Sequence, residues 1–248
     1  KQKFSIKKLI SFFKFILTII SLKDCHSVVS VSKNTKKIIK KYTSKKIFLI
    51  PNGVSVSKKY KNQWAQNNTK NYILNVSKFV PYANQLKLLE IYNKAFIKDM
   101  DLPPLYFAGD VYDKEYFNKV LKFIDQNNLG RKIKFLGYLS KNKLHSTIKN
   151  CKLFIFSSEL ESCPQTILEA RFIGCPILST NIAPMPEFLE KDAMYFNIND
   201  INKSVDTLIN ILYEFYNRKH LKNNNKLDNY KWSNVCLKYL NIFNNYEK

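Results

Sequence analysis

Residues 153–170 read LFIFSSELESCPQTILEA. Four apolar residues end in a pair of serines, a short loop carries Glu161, and a helical pattern follows whose second turn carries Glu169. This order predicts a buried strand, a loop and a helix. In open α/β sheets, ligands bind where such strands end and the next helices begin, so this stretch is the first candidate for a site.

The start of the predicted helix has features typical of an anion site. Pro164 suits the first helical position, and Ser162 with Gln165 three residues later is the pattern of a capping box. The free backbone N–H groups of the first turn and the helix dipole favour a phosphate. Glu169 shares a face with Gln165, and its carboxylate can accept hydrogen bonds from both hydroxyls of a ribose. The alternative is an ordinary capped helix with a solvated glutamate.

The rest of the chain alternates strands and helices around this stretch. Short apolar runs bounded by turn residues alternate with helical patterns, which predicts an α/β fold with a parallel sheet covered on both faces. The predicted strands are residues 72–77, 105–109, 133–138, 153–157, 177–180 and 193–196. The predicted helices are residues 84–98, 114–127, 141–150, 164–172 and 201–216.

A shorter α/β unit precedes this sheet, and a polar linker rich in lysine and asparagine joins the two. The predicted elements of the shorter unit are a strand at 27–31, a helix at 33–42 and a strand at 47–50. The expected parts of the chain are the end of a first α/β domain (1–55), a linker (56–70), a complete α/β domain (71–215) and closing helices (216–248), of which the last is predicted at 232–246.

The chain is strongly basic, with a net charge of +22, and all but three of its 41 basic residues are lysine. Proteins that read phosphates and bases rely on the planar fork of arginine. We therefore rank the charge first as compositional background, second as attraction to an anionic membrane, and third as nucleic-acid binding. The apolar residues 9–22 are interrupted by Lys14 and are too short to span a bilayer, so they predict a buried or membrane-surface helix.

The cysteines and histidines argue against a disulfide framework and a metal site. The five cysteines form no C-x-x-C pair, and the three histidines have no ligand spacing. This usage fits a reducing cytoplasm. Cys163 lies in the candidate site, where we expect a small apolar filler and no nucleophile.

Taken in order, several motifs resemble the C-terminal half of a GT-B-fold glycosyltransferase of the group 1 type (family 4). They are VSVS (29–32), IPNGV (50–54), FAG (107–109), IKFLGY (133–138), E-x7-EA (161–170), GCPILST (174–180) and MPE (185–187). The resemblance covers roughly residues 26–215. It implies two Rossmann-like domains facing across a cleft, with the acceptor-binding domain upstream of Lys1 and the closing helix packing back on it.

The resemblance implies a role for each candidate residue. Glu169 would bind the ribose hydroxyls, and Glu161 would contact hydroxyls of the donor sugar near the reacting carbon. The diphosphate would lie on backbone N–H groups around Ser162, Gln165 and Thr166. The loop after Gly137 and Tyr138 would meet the base.

For catalysis, the resemblance implies a metal-independent transfer with retention of anomeric configuration, helped by two basic residues. Lys78 matches the first basic position, and the second is Ala83. Loss of one of two charges on a phosphate typically costs on the order of 10²-fold in rate. Lys87, one helical turn further on, is a candidate substitute.

We therefore expect a glycosyltransferase of polysaccharide biosynthesis that moves a sugar from a nucleotide sugar to a glycan or lipid-linked acceptor. No cofactor is expected. The nucleotide of the donor could be UDP, GDP or ADP, and a UDP-sugar is favoured. The expected location is the cytoplasm, and association with the inner face of a membrane through the basic surface is an open alternative. Two alternatives remain, namely a sugar-nucleotide-binding module without transfer activity and a basic nucleic-acid-binding protein, which the lack of an arginine cluster disfavours.

Overall fold

The computed structural model describes residues 6–61, 64, 70–214 and 224–245. Most of the second half of the predicted linker, the end of the helix predicted at 201–216 and the last residues of the closing helix lie outside the described residues.

The first unit is a two-stranded parallel sheet with two helices. Its elements are α1 (Ile6–Asp24), β1 (Ser27–Ser30), α2 (Lys33–Ile39) and β2 (Lys46–Leu49). The helix predicted to reach residue 42 ends at Ile39. Its lysines recur at four-residue spacings, and like charges at this spacing destabilise a helix.

The second unit is a six-stranded sheet in which every pairing is parallel. Its strands are β3 (Ile73–Val76), β4 (Leu105–Ala108), β5 (Ile133–Gly137), β6 (Leu153–Phe156), β7 (Ile177–Thr180) and β8 (Met194–Phe196). The helices of the second unit and of the chain end are α3 (Gln85–Lys98), α4 (Lys114–Gln126), α5 (Lys141–Asn150), α6 (Gln165–Ile173), α7 (Met185–Leu189), α8 (Ile201–Glu214) and α9 (Trp232–Asn244).

Helices cover both faces of the large sheet, as the apolar runs predict. One face packs on α3, α4 and α8 and the other on α5, α6 and α7. Alternate residues of one strand therefore enter different cores: Ile155 lies in the first cluster and Phe154 in the second. Burial on both faces explains why β3, β6 and β7 carry no exposed residue.

The strand order β5-β4-β3-β6-β7-β8 places the site. The chain runs outward from β3 through β4 to β5, returns to β6 beside β3, and then runs outward in the other direction. Consequently α3 and α6, which follow β3 and β6, lie on opposite faces of the sheet. The region at the ends of these two strands is the candidate crevice. Ligands of open α/β sheets bind at such a reversal.

The chain end packs back on the first unit. Val235 and Ile242 of α9 bury Ile50, which follows β2. A Cβ added to Gly53 would lie 2.3 Å from a ring carbon of Trp232, so only glycine lets the ring lie against the backbone here. The Glu187 carboxylate of α7 accepts the Lys33 N–H at the start of α2, at 2.9 Å from each oxygen.

Helix α1 lies at the surface. Of the two alternatives predicted for residues 9–22, the buried helix is therefore wrong and the membrane-surface helix stays a prediction. Most of its large apolar side chains are exposed, Leu17 by 62%, whereas Ile19 and Leu22 are half-buried. A ring contact joins Phe15 to Tyr42 at 5.7 Å. None of the described helices is long and apolar enough to cross a bilayer.

Candidate functional site

The crevice lies where β3 and β6 end, and hydrogen bonds fasten its two walls together. After β3 a 3₁₀ turn, Pro81–Ala83, faces the loop after β6. Ser157 Oγ donates to the carbonyl of Ala83 at 2.7 Å, and the Glu159 N–H donates to the carbonyl of Tyr82 at 3.0 Å. The two loops are therefore held in a fixed relation.

Lys78 follows β3, and a buried polar network holds its backbone. Gln85 Nε2 donates to the carbonyl of Lys78 at 2.8 Å and to Ser77 Oγ at 2.9 Å. Ser77 Oγ in turn donates to Asn75 Oδ1 at 3.0 Å. The exposed ammonium of Lys78 lies 5.5 Å from the ring centroid of Tyr112, within cation–π range.

Glu161 lies in the loop after β6, on the opposite wall. Burial raises the pKa of its carboxyl group above the usual range, and a hydrogen bond with Ser158 acts in the other direction. Ionisation of a carboxyl group in this environment costs free energy unless a partner stabilises the charge. Glu161 is therefore suited to accept hydrogen bonds from a ligand.

Helix α6 begins at Gln165, and no side chain caps it. The predicted capping box of Ser162 and Gln165 is therefore wrong, as is the placement of Pro164 inside the helix. Pro164 occupies the cap position itself, with an extended backbone (ψ 107°), which makes Gln165 the first helical residue. The first-turn N–H groups thus have no side-chain acceptor, and they stand at the positive end of the helix.

Glu169 lies one turn into α6 and is only 7% exposed. Its Oε1 lies 3.3 Å from Nε2 of His145, a residue of α5 that is 1% exposed. The ring of Tyr60, from the segment before the large sheet, meets the imidazole edge to face at 5.8 Å. The carboxylate therefore has a buried neighbour on one side.

Of the other predicted positions, Gly137 and Tyr138 lie at the carboxyl end of β5, whereas the side chain of Lys87 is bonded elsewhere. Gly137 ends β5 in the left-handed region (φ +62°), and the following Tyr138 is 75% exposed at the carboxyl edge of the sheet. Ala83 is buried and adds no charge to the crevice. The Lys87 ammonium donates to Asn199 Oδ1 at 2.7 Å, beyond β8, and so ties α3 to the far edge of the sheet.

Sequence reasoning missed three contributors to the site: Tyr112, the Asn75–Gln85 network and His145. Asn75 carried a usable signal, because an amide inside an otherwise apolar strand must find a buried partner. His145 carried none, since its partner is on another helix. In the described part of the chain, no three His, Cys, Asp or Glu side chains gather to hold a metal ion.

Comparison with known proteins identifies the family. The family described as Glycosyl transferases group 1 matches residues 56–228. The Staphylococcus aureus capsular polysaccharide biosynthesis glycosyltransferase CapH is 32% identical over 172 residues, which cover 68% of this chain and 45% of CapH. A poly(ribitol-phosphate) alpha-N-acetylglucosaminyltransferase from S. aureus strain COL is 24% identical over 84% of this chain and 41% of its own length. The chain thus spans less than half the length of these curated relatives.

Solved structures share the fold. A mutant of S. aureus TarM superposes with a TM-score of 0.74 at 20% identity, over 94% of this chain and 46% of TarM. Sucrose-phosphate synthase from Thermosynechococcus elongatus superposes with a TM-score of 0.78 at 16% identity, over 98% of this chain and 64% of the synthase. The expected α/β fold of GT-B type is confirmed. Since the family match covers well over half of the sequence, the chain belongs to the group 1 glycosyl transferases.

Proposed function

We propose that this chain is the donor-binding part of a glycosyltransferase, which moves a sugar from a nucleotide sugar to a glycan or lipid-linked acceptor in polysaccharide biosynthesis. The observation that carries the proposal is the crevice between the ends of β3 and β6. Lys78 follows β3, and the uncapped start of α6 and the buried Glu169 follow β6, so all three belong to the elements that leave the sheet at its reversal point.

The donor's diphosphate would lie at the start of α6. Its charge matches the free N–H groups and the positive end of the helix. The ribose would lie one turn on, where the Glu169 carboxylate accepts hydrogen bonds from both hydroxyls. Tyr138 would meet the base and Glu161 the hydroxyls of the sugar. This order follows the direction of a nucleotide sugar from base to sugar.

For the transfer, the bond between the anomeric carbon and the diphosphate oxygen breaks, and negative charge develops on the leaving group. Lys78 and the N–H groups at Gln165 and Thr166 would stabilise that charge. Because Ala83 supplies no second charge, we expect transfer about 10²-fold slower than with a second lysine there. Retention of configuration and independence of metal are parts of the same proposal and rest on the family.

We propose a UDP-sugar as the donor. Support comes from solved relatives, since S. aureus TarM was solved with UDP, Anabaena HepE with UDP and glucose, and the pneumococcal O-GlcNAc transferase GtfA with UDP and GlcNAc. A GDP- or ADP-sugar is the alternative that the experiment below separates.

The test is thermal denaturation with UDP, GDP, ADP and their sugars. At about 100 times its dissociation constant the correct nucleotide adds roughly 2.7 kcal/mol, or roughly 5–10 °C in Tm. Glu169→Ala is expected to lose this shift, and Glu115→Ala, an exposed change on α4, is expected to keep it. A folded chain that no nucleotide stabilises would contradict the proposal.

The buried Ala83 favours one second candidate, a sugar-nucleotide-binding module without transfer activity. Slow hydrolysis of the donor, with water as the acceptor, separates the two in this chain. An enzyme with one charge missing should hydrolyse a UDP-sugar faster after Ala83→Lys and no faster after the control Tyr82→Lys. Nucleotide binding with no hydrolysis in any variant would favour the binding module.

A further inference from the structure

His145 is buried on the inner side of α5, and its environment is unusual for a core histidine. The residue is 1% exposed, and Nε2 makes no hydrogen bond within the described part of the chain. Buried polar atoms nearly always have a partner, so an unpaired ring nitrogen calls for an explanation. The atom that approaches Nε2 is Glu169 Oε1, at 3.3 Å.

The contact is short in distance and poorly aligned in direction. His145 Nε2 and Glu169 Oε1 are close enough for an ion pair, but their geometry does not satisfy a hydrogen bond. Hydrogen bonds of binding sites are often long or misaligned without ligand and tighten when the ligand binds. The pair therefore has the geometry of a bond that a small rotation of the Glu169 side chain would complete.

The imidazole itself has little freedom to move. Tyr60 packs edge to face against it, with the rings at 72° and their centroids 5.8 Å apart. Helices α5 and α6 pack side by side, so their backbones keep the histidine and the glutamate in reach of each other. The histidine is thus held in place beside the buried Glu169 carboxylate.

A fixed donor on one oxygen would prepare the carboxylate for a ribose. A carboxylate has two oxygens with about four acceptor positions, and two vicinal hydroxyls use two of them. A donor on Oε1 leaves enough acceptor positions for both hydroxyls, and it favours the rotamer of Glu169 that meets them.

We propose that His145 is a positioning residue for Glu169, which orients the carboxylate toward both ribose hydroxyls of the donor nucleotide. The inference rests on the proposed function, because it assumes that a nucleotide occupies the crevice. His145 would not contact the nucleotide itself and would act only through Glu169. Its signature is a contribution to affinity that depends on the hydroxyls of the ribose.

The experiment compares two substitutions of similar size that differ in one property. His145→Gln keeps a donor of similar reach, and His145→Met has none. Dissociation constants are measured by titration calorimetry with UDP and with 2′,3′-dideoxy-UDP. We expect His145→Met to weaken UDP about tenfold, the loss of one hydrogen bond to a charged group. We expect His145→Gln to stay close to the parent, and all three proteins to bind the dideoxy nucleotide equally.

Each other outcome has one meaning. If His145→Met weakens the binding of UDP and of the dideoxy nucleotide equally, the role of His145 is structural only and the inference is overturned. Identical affinity for UDP in the Met and Gln variants would also overturn it. If the parent binds none of UDP, GDP and ADP, the proposed function fails. If UDP binds but Glu169→Gln leaves its affinity unchanged, the ribose role of Glu169 fails and this inference with it.

A measurement on the parent protein covers the case in which neither variant folds. The imidazole nitrogens of His145 are followed by NMR during titration with UDP and with the dideoxy nucleotide. We expect the Nε2 resonance to shift with UDP and to stay in place with the dideoxy nucleotide, while His26 serves as the internal reference. No shift at saturating UDP would overturn the inference.

Discussion

Lys78 and Glu161 face the crevice from opposite walls, and the chain gives them opposite local environments. The Lys78 side chain is exposed, and its backbone is held by Gln85. Glu161 is partly buried, and its pKa is raised by that burial. At the scale of single residues the site therefore combines an accessible positive charge with a carboxylate that lacks full solvation.

Lys78→Ala should weaken the binding of UDP about tenfold or more, because one of the groups that would contact the diphosphate is lost. The affinity of the parent should also fall more steeply with salt than that of the variant, since screening acts on the lost charge. Calorimetry at two salt concentrations measures both effects. Lys119→Ala, on α4 and paired with Glu115 at 2.9 Å, is the matched control. Equal losses in the two variants would count against a role for Lys78.

Glu161→Gln should stabilise the ligand-free protein at neutral pH while weakening donor binding. A raised pKa in the folded state means that the folded chain holds this proton more tightly than the unfolded chain. Its stability contribution is therefore full below the unfolded pKa and is lost as pH rises through the folded pKa. Glutamine cannot ionise, so we expect a gain of about 1–3 °C in Tm at pH 7 and little gain near pH 4. A lower Tm at pH 7 would contradict this.

At the scale of elements, the start of α6 shows where sequence patterns fail. Hydrophobic periodicity predicted the strands and most helices of the large sheet to within a few residues, because burial on one or both faces produces that periodicity. The capping pattern at Ser162 failed, because proline took the cap position. The adjacency of β3 and β6, which creates the crevice, depends on packing between distant segments and has no local signal.

The site divides in the same way. Glu161 and Glu169 were singled out from the local pattern of strand, loop and helix, and Lys78 only from the family resemblance. His145 and Tyr112 lie near these residues only once the elements are assembled. Their contacts with Glu169 and Lys78 join different helices and loops, and these contacts follow from the tertiary structure alone.

The contact between α7 and α2 couples the two units. The Glu187 carboxylate accepts the Lys33 N–H at the positive end of α2. Glu187→Ala should therefore cost about 0.5–1 kcal/mol and lower Tm by roughly 1–4 °C. Faster amide exchange at residues 32–36 should accompany the change, as hydrogen-exchange mass spectrometry can show. Glu115→Ala serves as the control, and equal exchange in both variants would rule the coupling out.

At the scale of the whole molecule, charge and exposed apolar surface lie in the same unit. Asp24 is the only acidic residue among the first 89 of the sequence. The exposed apolar side chains of α1 lie in the same unit as the lysine-rich α2, and Phe15 of α1 contacts Tyr42 just after α2. Together these features match an anionic lipid surface, which attracts each nearby lysine by about 1 kcal/mol.

We expect the chain to sediment with vesicles that contain phosphatidylglycerol and to stay in solution with purely zwitterionic vesicles. Binding should fall with salt, because the attraction is electrostatic. Replacing Phe12 and Phe13 by serine should weaken binding further, whereas replacing the exposed Tyr213 of α8 by serine should not. Equal binding to neutral vesicles would mean that apolar surface alone drives the association.

Amide hydrogen exchange of the chain, free and saturated with UDP, shows whether a nucleoside diphosphate binds at the start of α6. In the proposed complex the diphosphate occupies the crevice and takes hydrogen bonds from the uncapped start of α6. We expect slower exchange at residues 165–167 and at the non-proline residues of the loop at 77–84, with no change on α4. Unchanged exchange at the start of α6 under saturating UDP would contradict the account.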